Sequence, residues 1–365
     1  MTNQMIGARA ISVTESNSIK ILRVIAALMI VATHICNAVG KGVFLSLSQL
    51  LQVSVLIFFI ISAYLYSKRK AEAFNGKWLI KRILRLQIPV LIFDALWAIQ
   101  MLLMSKYNFS FMGCISILMN LTGFHASMGM LQGTNYGNFW FPSYIMLCYM
   151  ITPVIARLRD QFGREKSLYI VLFVFALYNA ICMLFNAASA LFYRFNYLFL
   201  YAVVFLNADS LVKPFSKAQK RYTLAITGVL ILTAVARVFF SKGAVSPWAD
   251  IFYTSVVAQL FNYILAIWIC GFIFMIGKQL KLSSYAMKGI VWLDKRSYEL
   301  YIAHGASISL VASFFQKGMA WVILEALVVY VTAILLASLL HAVSDPIYRK
   351  CVGAVAGKKP NRELA

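Results

Sequence analysis

From Ser18 to Gly40 the chain reads SIKILRVIAALMIVATHICNAVG. About 20 mostly apolar residues in a helix cross the ~30 Å hydrocarbon layer of a membrane. Two residues interrupt this one. Arg23 lies one turn in from the start and His34 lies well inside the far half. An ionisable residue at membrane depth is costly and points to function. Eleven positions at ~100° each bring the two side chains to nearly the same face, roughly 16 Å apart along the axis. A polar stripe therefore runs along this helix. The plainer alternatives are an Arg23 that snorkels to the headgroups and a His34 that hydrogen-bonds to a neighbouring helix.

The rest of the chain has the same character. Of its 365 residues, 62% are hydrophobic and 13% charged, against about 25% charged in a soluble domain. The expected fold is all-α, a polytopic transmembrane helical bundle of about ten spans: 19–39, 47–66, 84–104, 138–156, 167–187, 190–211, 221–240, 252–276, 297–316 and 319–341. Residues 1–17 form a cytoplasmic N-terminal lead, 18–346 the transmembrane domain and 347–365 a basic cytoplasmic tail. The loop 105–137 contains an apolar middle, Phe111 to Gly123, too short to span and read as interfacial or re-entrant. The first apolar run is full length, with no small-residue cleavage site after it, which argues against a removable signal peptide. Asp345-Pro346 reads as a helix stop.

The net charge of +22 is large enough to raise nucleic acid as a partner. Its distribution argues against that. Loops on one side hold 27 of the 34 Lys and Arg residues, the other side holds 6, and Arg23 is within a span. The positive-inside rule places the crowded side, and both termini, in the cytoplasm. The six cysteines show no C-x-x-C and no metal-ligand spacing, so neither a disulfide framework nor a metal site is expected.

On the basic side, Arg82 and Arg85 are i, i+3 neighbours with Lys81 beside them. Two guanidiniums on one face can clamp phosphate oxygens. The alternative is ordinary positive-inside charge against lipid headgroups. Lys68 and Lys70 lie further from the third span and are expected to matter less. On the opposite side, Trp140 opens the fourth span, either as part of an aromatic belt or as a stacking platform for a sugar ring. In the ninth span, Tyr301 and His304 are i, i+3 neighbours, with His304 about 10 Å in from the basic side. They read as a substrate contact or as a buried interhelical hydrogen-bond pair. His125 and His341 carry little functional weight.

Taken in order, these stretches resemble the acyltransferase-3 family of integral membrane acyltransferases, in its compact surface-glycan O-acetyltransferase form. The family's Arg-x10-His is matched by Arg23 and His34. Its V-D-I-F-F-V-I-S-G-Y stretch is matched by Val55 to Tyr64, with Leu56 where many members carry Asp and Ala63 in place of Gly. K-R-x-x-R is matched by Lys81, Arg82 and Arg85; W-F-L by Trp140, Phe141 and Pro142; Y-L-x-H by Tyr301 to His304. A role for the family's Asp does not carry over to Leu56. No appended esterase-like domain fits.

The resemblance implies transfer of an acyl group, expected to be acetyl, from cytoplasmic acyl-CoA to a hydroxyl of a surface polysaccharide or lipid-linked glycan on the far side. His34 and Arg23 are then the catalytic residues. Arg82, Arg85 and Lys81 hold the donor, while Trp140, Tyr301 and His304 contact the acceptor. No tightly bound cofactor or metal is expected, since acetyl-CoA is a substrate. Partners are acyl-CoA, the glycan and membrane lipid, without nucleic acid. The expected location is the bacterial cytoplasmic membrane. Two other readings stand beside this one: a polysaccharide or lipid-linked glycan transporter, which would show broken helices and internal symmetry, and a structural partner in a glycan-assembly complex.

Overall fold

The computed structural model describes residues 11–39, 42–103, 140–184, 190–211, 227–228, 230–232, 256–277, 282–312 and 319–356. Among them all regular structure is helical. The α-helices are α1 (Val13–Val39), α2 (Gly42–Leu51), α3 (Val53–Ser67), α4 (Gly76–Leu103), α5 (Trp140–Leu184), α6 (Ala190–Asn207), α7 (Val256–Gly277), α8 (Ser284–Asp294), α9 (Ser297–Ala312) and α10 (Met319–Val355). Short 3-10 turns follow α3 at Ala71–Ala73 and α6 at Ala208–Leu211.

Several helix starts are written in local sequence. Ser12 and Glu15 form a capping box ahead of α1: the Ser12 backbone N–H donates to Glu15 Oε2 at 2.8 Å, and the Glu15 N–H donates to Ser12 Oγ at 3.2 Å. The Asn75 side chain accepts from the Trp78 N–H at 3.0 Å before α4, and Ser283 accepts from the Ala286 N–H before α8. The helix end at Asp345-Pro346 does not occur. Proline removes one backbone donor and crowds the turn before it, yet α10 continues to Val355 with Pro346 inside. Asp345 is held by Arg85 from α4 and by Arg349 one turn further on, which ties together the turns on either side of the proline.

Five helical stretches among the described residues are long and apolar enough to cross a membrane: Val13–Val39, Val43–Ser67, Trp140–Cys182, Gln259–Gly277 and Val322–Val355. They coincide with the first, second, eighth and tenth expected spans and with the fourth and fifth together. The third, sixth and ninth fall on α4, α6 and α9. The loop 105–137 with His125, and nearly all of 221–240, lie outside the described residues.

The fourth and fifth spans form a hairpin. Along 140–162, Tyr144 meets Phe195, Thr152 bonds Tyr201 at 2.8 Å, and the Arg159 guanidinium lies over Phe205. After Gly163 the order on α6 reverses: Arg164 donates to Asn207 at 2.6 Å, Phe175 meets Phe199, and Asn179 exchanges hydrogen bonds with Asn196. The reversal sits on Gly163, whose φ of 75° and ψ of 169° are open essentially to glycine alone.

α1 is the centre of the bundle, packed against α3, α7, α8 and α9. Leu22, Ala26, Ala27 and Val31 are fully enclosed. At Gly277 the end of α7 comes so close to α1 that a Cβ there would meet the Ser18 hydroxyl at 2.1 Å, the small-residue contact by which membrane helices approach one another. The outside is apolar instead. On α10, Ile323, Leu327, Val331, Leu335, Leu339, Val343 and Ile347 recur every fourth residue, each at least 40% exposed. Such a stripe suits hydrocarbon and not water.

Candidate active site

The cation-rich loops converge on one end of the bundle. Arg159 donates to the carbonyls of Ser67 and Arg69, and Asp160 accepts from the Ala71 N–H. Between these loops and the start of α9 lies a cavity of about 520 Å³. Six cations line it: Arg23, Lys68, Arg69, Arg82, Arg85 and Lys295. Lys68, set further from the third span and expected to matter less, also belongs to this lining. Lys81 does not line it.

The six cations are not equivalent. Arg23 pairs with Asp294 at 3.3 Å. Burial pushes the Asp294 carboxyl above its ordinary range, and the Arg23 charge draws it back down. Lys68 pairs with Asp209 at 2.6 Å. Arg85 reaches two carboxylates, Asp345 at 3.2 Å and the enclosed Glu299 at 3.9 Å. Glu299 also accepts from His341 at 3.0 Å. Arg82 has no carboxylate partner among the described residues. Its guanidinium lies over the Tyr66 ring at 5.4 Å, and its Nε is buried without a hydrogen-bond partner. The predicted symmetrical clamp is therefore two different guanidiniums, one already neutralised and one open.

Away from the charges, Phe58, Phe141 and Ile145 complete the lining. Phe141 packs on Tyr301 with ring centroids 5.3 Å apart, and Tyr301 lies 5.6 Å from His304. The His304 ring lies 4.5 Å from that of His34. The two histidines, read from sequence as one catalytic and one acceptor-binding residue, thus occupy a single place where α1 crosses α9. His304 is 1% exposed and its Nδ1 bonds the Tyr301 carbonyl. A carbonyl can only accept, so Nδ1 carries the proton and the Nε2 lone pair is free to receive one. That Nε2 is buried with no protein partner among the described residues.

Trp140 stands apart from this group. Its indole stacks on Tyr197 at 5.3 Å, so one face of the proposed sugar platform is occupied by protein. Phe59 links the two regions, stacking on Tyr197 at 5.3 Å and meeting Phe141 edge-on at 5.2 Å. Five helices therefore contribute to one continuous aromatic layer, with the histidine pair as a member.

Sequence reasoning missed Asp294, Glu299 and Asp345, the carboxylates that hold Arg23 and Arg85 in place. A signal was present: twelve acidic residues serve the whole chain, so each one beside an apolar run is conspicuous. The contact between His34 and His304, 270 positions apart, left no local signal.

One family model, described as an acyltransferase domain, matches residues 16–342. No curated protein and no solved structure matches the chain. The matched region includes both histidines, every cation of the cavity and, of the carboxylates that hold them, all but Asp345; the chain belongs to the acyltransferase-3 family and is a membrane acyltransferase.

Proposed function

We propose that the protein transfers an acyl group, acetyl in the first instance, from cytoplasmic acyl-CoA to a hydroxyl of a surface polysaccharide or lipid-linked glycan presented on the opposite side. The observation that carries this reading is the cavity of six cations whose aromatic wall leads to a histidine pair. Acyl-CoA has its phosphates and its thioester at opposite ends of a long flexible arm. Arg23 and His34, roughly 16 Å apart on one helix face, offer a cation for the first end and a base for the second.

In this reading the acceptor oxygen attacks the thioester carbonyl carbon as its proton passes to the His34 imidazole. The C–S bond then breaks, and the departing thiolate takes up that proton. His304 presents its Nε2 lone pair to a second hydroxyl of the acceptor and so orients the reacting one, with Tyr301 fixing the ring through its carbonyl. Arg82 holds the donor phosphates as an open guanidinium, and Arg85, oriented by Asp345, flanks it. Arg23, held by Asp294, adds its charge to the phosphate end of the donor.

The test uses proteoliposomes given acetyl-CoA labelled in its acetyl group and a crude surface-glycan fraction. Label is expected in the glycan for wild type and not for His34→Gln. Glycan that crosses the membrane without gaining label would overturn the reading in favour of transport.

A further inference from the structure

A second cation-rich space adjoins the cavity just described and shares Lys295 with it. It is a cleft of about 690 Å³ between α8 and α10, lined by Met287, Lys288, Val291 and Trp292 of α8, by Lys295 and Arg296 just after it, and by His341 and Arg349 of α10. Four of these side chains are cationic and none is a carboxylate. Arg349 is 79% exposed and its one carboxylate partner, Asp345, is shared with Arg85. Arg296 lies 4.0 Å over the Trp292 ring and donates to the Trp292 carbonyl. Its Nε is buried without a partner among the described residues. The cleft therefore holds uncompensated positive charge and an unused donor.

Its position says which anion fits. None of the residues of α8 is buried, and Leu282, Tyr285 and Trp292 are exposed beside Lys288 and Lys295. Exposed Trp and Tyr interleaved with Lys on a short helix mark the boundary between hydrocarbon and headgroups. The apolar Met287 and Val291 of the same helix line the cleft beside these cations. A molecule seated here has phosphate-binding cations at one end and an apolar track at the other.

We infer that the cleft between α8 and α10 binds an anionic phospholipid, its headgroup phosphate on Lys288, Arg296 and Arg349 and an acyl chain along Met287, Val291 and Trp292 of α8. Neutral phospholipid carries an ammonium that these cations repel, so the site prefers phosphatidylglycerol to phosphatidylcholine. The inference does not depend on which acyl group or acceptor the enzyme uses.

The test is native mass spectrometry of the purified full chain, released from nanodiscs of phosphatidylcholine with one tenth phosphatidylglycerol. Wild type is expected to retain phosphatidylglycerol well above its share of the bilayer. Lys288→Gln with Arg349→Gln, both at exposed positions, is expected to cut that retention by roughly 10- to 100-fold, the loss of two charge-assisted contacts. Acetyl-CoA binding is expected to be unchanged in the same variant. Three results would each overturn the proposal: retention in proportion to bilayer composition, displacement of the lipid by millimolar glycerol phosphate (a soluble-anion site), or loss of acetyl-CoA binding in the variant (an outer part of the donor site).

Discussion

Arg82 and Arg85 are one turn apart on α4, and the structure separates what each does. Arg85 is 30% exposed and faces Asp345, 19% exposed, and Glu299, which is fully enclosed. Arg85→Gln leaves Glu299 with His341 and the Ser344 hydroxyl as its remaining partners, and the Oε2 of that carboxylate already has none among the described residues. Breaking a buried ion pair costs about 3–5 kcal/mol, and water access to Arg85 reduces the expected loss here to about 2 kcal/mol. That corresponds to a fall in melting temperature of about 3 °C for a chain of 365 residues. Arg82 holds no carboxylate, so Arg82→Gln strands none. It removes the open guanidinium and weakens acetyl-CoA binding by roughly 10- to 100-fold at unchanged stability. A triple variant, Arg85→Gln with Glu299→Gln and Asp345→Asn, removes the stranded charges and recovers most of the stability. The assays are thermal unfolding and acetyl-CoA titration in one detergent. If Arg82→Gln and Arg85→Gln match in both readouts, or the triple variant is no more stable than Arg85→Gln alone, the division between an open and a neutralised guanidinium is wrong.

His34→Gln keeps much of the volume and hydrogen-bonding capacity of the imidazole. It should leave membrane levels and donor binding intact while lowering transfer by about 100-fold or more, and near-normal transfer would return His34 to a packing role. His304→Gln, read in the same labelled-acetyl assay, should lose transfer with donor binding retained; a loss of donor binding instead would place His304 in the wrong half of the site. Gly163→Ala meets no atom within 4 Å, so its cost of about 1–3 kcal/mol is purely backbone strain. Gly289→Ala, equally open but inside α8, should be neutral or stabilising, and equal unfolding temperatures for the two variants would refute the strain argument. Cysteines placed at Asn75 and Met287 should react with an impermeant thiol reagent from the cytoplasmic side only, and cysteines within 115–130 from the other side only. Labelling at Asn75 from outside would reverse the topology.

Local spacing made part of the site legible. Period and length put Arg23 and His34 on one face of one helix, and i, i+3 spacing placed Arg82 beside Arg85. Helix starts at Ser12, Asn75 and Ser283 follow from side chains that cap their own backbone. Contacts between distant segments were not legible. No periodicity joins His34 to His304 or Arg85 to Asp345, because these pairs exist only once α1, α4, α9 and α10 have packed. Pro346 misled for the same reason: its local cost is real, but Asp345 is anchored from another helix. Lys68 looked peripheral because the sequence does not show which loops meet at the cavity. The glycine of the α5 hairpin was in view, yet only its backbone angles identify it as the turning point.

The aromatic layer also bears on the energy balance of the cell. A polar stripe through a membrane helix is a potential leak, since each elementary charge that crosses 100 mV releases about 2.3 kcal/mol. Between the wet cationic cavity and the histidine pair stand Phe58, Phe141 and Tyr301, with Phe59 and Tyr197 closing the ring toward α6. Among the described residues these packed rings lie between the cavity and the imidazoles. Packed aromatic rings oppose a file of water, which favours handling acyl groups at membrane depth while the voltage is held.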